Sequence, residues 1–185
     1  MTQQLLDDAE KRMQKTREVL ERELSTIRTG RATPALVEDL IIDYYGTPTP
    51  LKQIASISAP EPRLLTIQPW DRAAILPIER AISKSDLGLS PAADGALLRL
   101  PIPALTQERR RDMAKLVRKR VEDDRVALRN VRRDAVEHLR KLEKDKELSK
   151  DEEHRSQDQL QKLTDRYVAE LDRLGVAKEA EVMEV

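Results

Sequence analysis

The stretch from Thr106 to Leu148 contains no glycine and no proline. Apolar residues recur in it with a 3-4 spacing, and these are Ala114, Val117, Val121, Leu128, Val131, Ala135 and Leu142. This spacing predicts one unbroken amphipathic helix, with Thr106 as its N-terminal cap. At ~1.5 Å per residue the helix would be roughly 60 Å long. A helix of that length has to act as a rod or a lever.

Two further helices are predicted at the ends of the chain. Residues 1–29 carry one apolar stripe that ends at Gly30, which is typical of a helix C-terminus. Ser149 and Glu152 form a capping box at the start of the last helix, and Gly175 is expected to weaken or bend it before a charged tail at 178–185. With 37% charged and 2% aromatic residues, any core is thin and aliphatic. Three narrow apolar stripes therefore predict a long antiparallel three-helix bundle.

The middle of the chain, residues 31–104, has a different composition, rich in proline and glycine. Four strands are predicted there, at residues 40–45, 53–58, 64–68 and 97–100. Asp71 can cap one helix that runs to about Ser83, and Pro77 would shorten or kink it. The fold class is therefore α+β, with a small β/α/β domain inserted into the three-helix bundle.

The insertion divides the chain into a discontinuous bundle domain, 1–30 plus 105–185, and an inserted domain, 31–104. Two short connections without predicted secondary structure join them, and they consist of Thr29, Gly30, Arg31, Pro101, Ile102, Pro103, Ala104 and Leu105. Such connections are typical of a hinge. A small domain packed rigidly on the end of the bundle is the alternative interpretation.

The polar side of the long helix carries an arginine stripe. Its members are Arg118, Arg125, Arg129 and Arg132, and Arg133 and Arg140 widen it. A solvated face with i,i+4 ion pairs is one interpretation, in which Glu122 pairs with Arg118 or Arg125 and Glu137 pairs with Arg133. Arginine's planar fork of donors also suits phosphate, so RNA binding is the other interpretation.

The formal net charge is zero, but the charges are segregated. Residues 106–140 contain twelve basic and seven acidic side chains, whereas residues 141–185 contain nine and thirteen. This pattern favours local docking on a polyanion over non-specific coating of nucleic acid.

The sequence gives little support to catalysis. It has no cysteine, no phosphate-binding glycine loop and no HExxH motif. His138 falls beside the apolar stripe, where a half-buried packing role is expected, and His154 is expected to cap a helix or face solvent. No apolar run approaches the ~18 residues that a membrane span needs, and the N-terminus is unlike a signal peptide. We therefore expect a cytoplasmic protein without catalytic residues, cofactor or metal.

Several short motifs, in order along the chain, resemble the bacterial ribosome recycling factor family. They lie at residues 24–32, 43–51, 85–89, 105–111, 129–134, 155–158 and 161–165. The resemblance implies an L-shaped molecule that outwardly resembles a transfer RNA. It also implies binding to the large ribosomal subunit at the A- and P-site region after termination. Elongation factor G, hydrolysing GTP, would then act with the factor to split the subunits and release messenger and deacylated transfer RNA.

The resemblance also implies roles for particular residues. Contacts to large-subunit ribosomal RNA are expected from Arg132 first, then from Arg129 and Arg133, with Arg125 in the same stripe. Arg28 and Arg31 are secondary candidates, although both could simply complement the carbonyl end of the first helix. The implied partners are the large subunit and elongation factor G, with no DNA and no membrane, and the chain is expected to be a monomer.

Without the resemblance, two other classes of protein stay open. A helical adaptor or chaperone would share the long apolar stripes and balanced charge, but would expose an apolar groove. A transfer-RNA-binding accessory domain would use the same arginines and would bind free transfer RNA as well as ribosomes.

Overall fold

A computed structural model of the protein describes residues 1–184, which form four α-helices and six β-strands. In chain order they are α1 (Thr2–Ser25), β1 (Ile41–Tyr44), β2 (Thr47–Pro50), β3 (Ala55–Glu61), β4 (Leu64–Pro69), α2 (Ile75–Lys84), β5 (Ala92–Asp94), β6 (Leu97–Pro101), α3 (Gln107–Lys144) and α4 (Lys150–Met183). The mixed helix and sheet fold that the sequence predicts is confirmed.

Two compact units make up the structure, a helical bundle and a small domain. The small domain is Ser25–Arg110, and the bundle is Met1–Leu24 together with the chain from Arg111 onward. The predicted limits, 1–30 with 105–185 and 31–104, instead assign residues 25–30 and 105–110 to the bundle side. The position of the domain boundary therefore stays a prediction.

The ends of the helices agree with the sequence where a side chain caps them. Thr106 Oγ1 accepts a hydrogen bond from the Arg109 N–H at 3.2 Å. The Glu152 N–H donates to Ser149 Oγ at 3.2 Å, and the Ser149 N–H donates to Glu152 Oε2 at 3.0 Å. Both predicted caps are confirmed, because each hydroxyl replaces the partner that a first-turn N–H lacks.

The C-terminal ends of α1 and α3 lie earlier in the chain than the sequence predicts. α1 stops at Ser25, not near Gly30, because the following threonines and isoleucine favour helix weakly. α3 stops at Lys144 and not at Leu148, and Lys146 adopts a left-handed φ of 60° in the turn that follows.

Ion pairs show how the bundle helices run. Arg12 of α1 pairs with Asp134 of α3 at 2.9 Å, and Arg17 of α1 pairs with Glu170 of α4 at 2.9 Å. Later in α1, Glu23 pairs with Arg120, which lies earlier in α3 than Asp134, so α1 is antiparallel to α3. Earlier in α1, Glu10 pairs with Arg166, which lies earlier in α4 than Glu170, so α1 is parallel to α4. The buried side chains between them include Leu6, Met13, Leu20, Leu128, Leu139, Leu160 and Leu171.

The apolar stripe of α3 follows the prediction for most of its length. Its buried members are Ala114, Val117, Val121, Leu128, Val131, Ala135 and Leu139. Leu139 takes the place expected for Leu142, which is only half-buried, because a straight helix drifts from a strict seven-residue repeat. The packing role expected for His138 is wrong, since this side chain is exposed.

Gly175 lies inside the last helix. α4 continues through it to Met183, and Val182 is buried, so the glycine does not end the helix, whereas a weakening or bend at Gly175 stays a prediction. A Cβ built on Gly175 would lie 2.7 Å from Val121 Cγ2. The glycine is therefore the residue that lets α4 approach α3 closely.

The small domain contains an antiparallel sheet, a separate hairpin and α2. The sheet has the order β3-β4-β6-β5, and β1 pairs with β2. The fully buried side chains of the small domain include Ile42, Leu51, Leu65, Ile67, Ile78, Ile82, Leu98 and Leu100. Like the bundle, this core is aliphatic.

Two strands of the small domain were missed. β2 is not among the predicted strands, and it follows β1 through a turn made by Tyr45 and Gly46, with φ of 51° and 79°. Left-handed residues of this kind are typical of a tight hairpin. The prolines of β2 are tolerated because the strand lies at an edge. β5 is the second missed strand, and it pairs antiparallel with β6.

Asp71 organises one end of the small domain. Its carboxylate accepts a hydrogen bond from the Ala73 N–H at 2.9 Å, at the short 3-10 turn before α2. The hydroxyls of Tyr44 and Tyr45 donate to it at 3.1 and 2.8 Å. The backbone N–H, followed by the Tyr45 hydroxyl, lowers the pKa of Asp71. The neighbouring Trp70 is 69% exposed.

Candidate nucleic-acid interface

The four arginines that the sequence singled out on α3 lie close together on one helix. Arg125, Arg129 and Arg132 follow i, i+4, i+7 spacing, and Arg133 adjoins them. Their surroundings, however, differ in how much of the arginine charge is already neutralised. The difference comes from carboxylates of α4 and from Glu122 of α3 itself.

Arginines of α3 and carboxylates of α4 form a regular series of contacts, which we call the ion-pair ladder. Arg118 pairs with Glu179, and seven residues further along α3, Arg125 pairs with Asp172, seven residues earlier on α4. Arg125 Nε lies 2.8 Å from Asp172 Oδ1. Because the helices are antiparallel, equal seven-residue steps keep the ladder in register.

Arg125 is the most strongly paired of the predicted site residues. Besides Asp172, its guanidinium contacts Glu122 at 2.8 Å, and its side chain is 31% exposed. Glu122 first, then Asp172, raises the pKa of Arg125, while the hydrogen bond from Arg125 lowers the pKa of Glu122. This arginine primarily joins α3 to α4.

Arg129 has one carboxylate partner at a longer distance. Its Nη1 lies 3.4 Å from Glu122 Oε1, and its side chain is 57% exposed. Glu122 is shared with Arg125, so the carboxylate only partly neutralises Arg129.

The charges of Arg132 and Arg133 are not neutralised by an ion pair within residues 1–184. Arg132 Nη1 donates to the neutral amide oxygen of Gln161 at 2.6 Å. Within residues 1–184 neither arginine has a carboxylate in salt-bridge distance, so the expected pair of Glu137 with Arg133 is wrong, and the Arg133 side chain is exposed. Asp134, the adjacent acid, pairs instead with Arg12 of α1. These two arginines therefore offer donors that an external anion can occupy.

Arg28 and Arg31 belong to the small domain. Arg28 Nη1 donates to the backbone oxygen of Leu87 at 3.0 Å, so this arginine fixes a loop of its own unit. The side chain of Arg31 is exposed, and its N–H lies 3.4 Å from Thr29 Oγ1. An RNA contact by either residue stays a prediction.

The two segments predicted as the hinge lie side by side. A Cβ built on Gly30, whose φ is 78°, would be 3.6 Å from Leu105 Cγ. Thr29 is buried, and Ile102 is buried with its N–H donating to the Arg63 oxygen at 2.8 Å. Part of the predicted hinge is thus tied into the small domain. Its mobility stays a prediction.

Sequence reasoning missed the contribution of α4 to this surface. It expected Glu122 to pair with Arg118 or Arg125, and the Arg125 pair is confirmed, but Arg118 pairs with Glu179. Asp165, Asp172 and Glu179 recur every seven residues, as Arg118, Arg125 and Arg132 do. That matched spacing was a signal that could have identified the ladder.

Across residues 1–184 no helix is long and apolar enough to cross a bilayer. Within the same range, no group of three or more His, Asp or Glu side chains is placed to hold a metal ion.

Known proteins resemble this chain along its whole length. The family model described as "Ribosome recycling factor" matches residues 20–183. Proteins named ribosome-recycling factor from Carboxydothermus hydrogenoformans and Dehalococcoides mccartyi are each 54% identical over 185 residues, covering 100% of both chains.

Solved structures agree with the sequence matches. A solution structure of the ribosome recycling factor gives a TM-score of 0.82 at 42% identity, covering 100% of this chain and 98% of the other. A second match, with a TM-score of 0.70 at 46% identity and 100% coverage of both chains, is titled as models of the T. thermophilus ribosome recycling factor and E. coli elongation factor G bound to the E. coli post-termination complex. This chain therefore belongs to the ribosome recycling factor family.

Proposed function

We propose that the protein binds the large subunit of the post-termination ribosome through the arginine stripe of α3. Together with elongation factor G, it then splits the subunits, so that messenger and deacylated transfer RNA are released. GTP hydrolysis belongs to elongation factor G, and the protein itself contributes binding and movement but no covalent chemistry. It would act in the cytoplasm as a monomer.

The observation that carries this proposal is the uncompensated charge of Arg132 and Arg133. A surface that only solubilises the bundle would gain by pairing these side chains with acids, as Arg118 and Arg125 are paired. Guanidinium groups held on a rigid helix present fixed donors to phosphate oxygens. Family membership makes ribosomal RNA the expected source of those phosphates.

The contact is expected to read RNA backbone and shape. Single-stranded bases are usually bound by stacking on aromatic side chains, and aromatic residues make up 2% of this chain. The bundle has no tryptophan, since the single Trp70 lies in the small domain. Phosphate and groove contacts from a charged helix face fit this composition.

The partnership with elongation factor G is supported by the second structural match, whose title places a related factor and elongation factor G on one post-termination complex. We propose that elongation factor G moves the small domain about segments 29–31 and 101–105. This movement of the small domain would help to separate the two ribosomal subunits.

Co-sedimentation with isolated large subunits over a salt series tests the docking surface. Arg132→Ala should bind roughly tenfold or more weakly, since a good arginine contact contributes about 1–3 kcal/mol. Arg173→Ala, an exposed arginine of α4 with the same change of charge, is the matched control and should bind as the wild type does. Equal binding by wild type and Arg132→Ala would contradict the docking surface, and equal affinity for free transfer RNA would favour the accessory-domain alternative.

A disulfide engineered between the two hinge segments tests the movement. The chain contains no cysteine, so a single introduced pair can be oxidised and reduced selectively. The oxidised variant should still bind large subunits but lose subunit splitting with elongation factor G, and reduction should restore it. Full splitting by the oxidised variant would refute the movement.

A further inference from the structure

The ion-pair ladder between α3 and α4 has a third position at which no ion pair forms. Continuing the seven-residue steps from Arg118–Glu179 and Arg125–Asp172 brings Arg132 opposite Asp165. Successive positions are ~10.5 Å apart along straight helices, so Asp165 belongs to the same facing stripe. Within residues 1–184, however, Arg132 and Asp165 share no ion pair, because a third side chain separates them.

That side chain is Gln161, one turn before Asp165 on α4. Its Oε1 accepts from Arg132 Nη1 at 2.6 Å, and its Nε2 donates to Asp165 Oδ1 at 2.8 Å. The amide can bridge the two only in this orientation, because a guanidinium has donors alone and a carboxylate has acceptors alone. Gln161 thus links the two charged groups by one hydrogen bond each, and neither group neutralises the other.

We propose that Gln161 is a positioning residue that keeps Arg132 out of the ladder. Gln161 holds the Arg132 guanidinium through a neutral acceptor, and it also donates a hydrogen bond to the Asp165 carboxylate. The positive charge of Arg132 therefore stays available to an anionic ligand. Arg125, which has no such intermediary, is neutralised by Asp172. This inference rests on the proposed function, in which the anion is a phosphate of large-subunit RNA.

Shortening Gln161 should therefore weaken RNA binding although it removes a competing partner of Arg132. In Gln161→Ala, the freed Arg132 can reach Asp165 and complete the ladder. Binding to isolated large subunits should fall roughly three- to tenfold, part of the loss expected for Arg132→Ala. The slope of log affinity against log salt should become shallower, since one fewer cation remains for phosphate.

The second variant separates this role from a merely structural one. Asp165→Asn in the Gln161→Ala background removes the carboxylate that captures Arg132, so affinity and salt slope should return towards the wild type. Gln14→Ala is the matched control, because Gln14 donates the same kind of i,i+4 amide hydrogen bond to Glu18 on α1 at 3.0 Å, and within residues 1–184 no hydrogen bond joins it to an arginine. This variant should bind as the wild type does.

The outcomes distinguish the inference from the function on which it rests. Wild-type or tighter binding by Gln161→Ala overturns the inference, as does weaker binding that Asp165→Asn does not restore. If Arg132→Ala itself binds like the wild type, the proposed docking surface fails first. Loss by Gln161→Ala, recovery in the double variant and no further loss when Gln161→Ala is added to Arg132→Ala establish the positioning role.

Discussion

Replacing Gly175 with alanine tests whether α3 and α4 are held in close contact at this point. In an ordinary helix interior, glycine to alanine stabilises by about 1 kcal/mol through backbone entropy. Here the new Cβ would lie 2.7 Å from Val121 Cγ2, closer than packed carbon atoms allow. Overpacking of this kind typically costs about 1–3 kcal/mol. The net expectation is destabilisation of up to about 2 kcal/mol.

Urea denaturation followed by far-ultraviolet circular dichroism measures this change. A lower midpoint with an unchanged slope would report lost stability without a change in the surface exposed on unfolding. Val176→Ala is the control on the same helix, because Val176 is exposed and the change should stay within about 0.5 kcal/mol.

A compensating variant identifies the contact responsible. Val121→Ala alone should cost stability by opening space, but Gly175→Ala added to it should cost little or even stabilise, because the new methyl fills that space. An increase of about 1 kcal/mol for Gly175→Ala in the wild-type background would refute the reasoning. It would mean that the glycine has no packing function.

Two further perturbations test the charge and capping arguments. Burial first, then Glu23 and Asp123, raises the pKa of Asp124, so this group stabilises the fold in acid and the contribution is lost as pH rises through the raised pKa. Asp124→Asn should therefore have a higher urea midpoint than wild type at neutral pH, and the difference should vanish below about pH 4, where both states are protonated. Ser149→Ala removes the capping box of α4 and should cost about 1 kcal/mol in thermal or urea unfolding, whereas no loss would show that the cap is dispensable.

The helical part of the fold was largely predictable because it depends on local periodicity. The apolar stripe of α3 and the caps at Thr106 and Ser149 follow from spacing and side-chain chemistry that lie within a few residues of each other. Leu139 was missed because a strict seven-residue repeat departs slowly from the period of a straight helix. The packing role of Gly175 was not predictable because the contact that requires a glycine lies on another helix, at Val121.

The candidate site was predictable as a group of arginines but not in its internal differences. The sequence placed Arg125, Arg129, Arg132 and Arg133 on one face, as the structure does. Which of these charges an ion pair neutralises depends largely on the carboxylates of α4. Pairs across antiparallel helices can be predicted only when the register of the two helices is known. The strand β2 was missed for a related reason, since proline argues against a strand unless its edge position is known.

The exposed Trp70 makes the small domain optically distinct. It is the one tryptophan of the chain, and it lies in the unit Ser25–Arg110. Fluorescence excited selectively in tryptophan therefore reports on that unit alone, and a dissolved quencher should reach the indole freely. A partner that covers Trp70 would protect it from quenching, whereas one that binds without covering Trp70 would leave the quenching unchanged. The sequence thus contains an intrinsic fluorophore whose quenching can follow the rate at which a partner binds over Trp70 in the small domain.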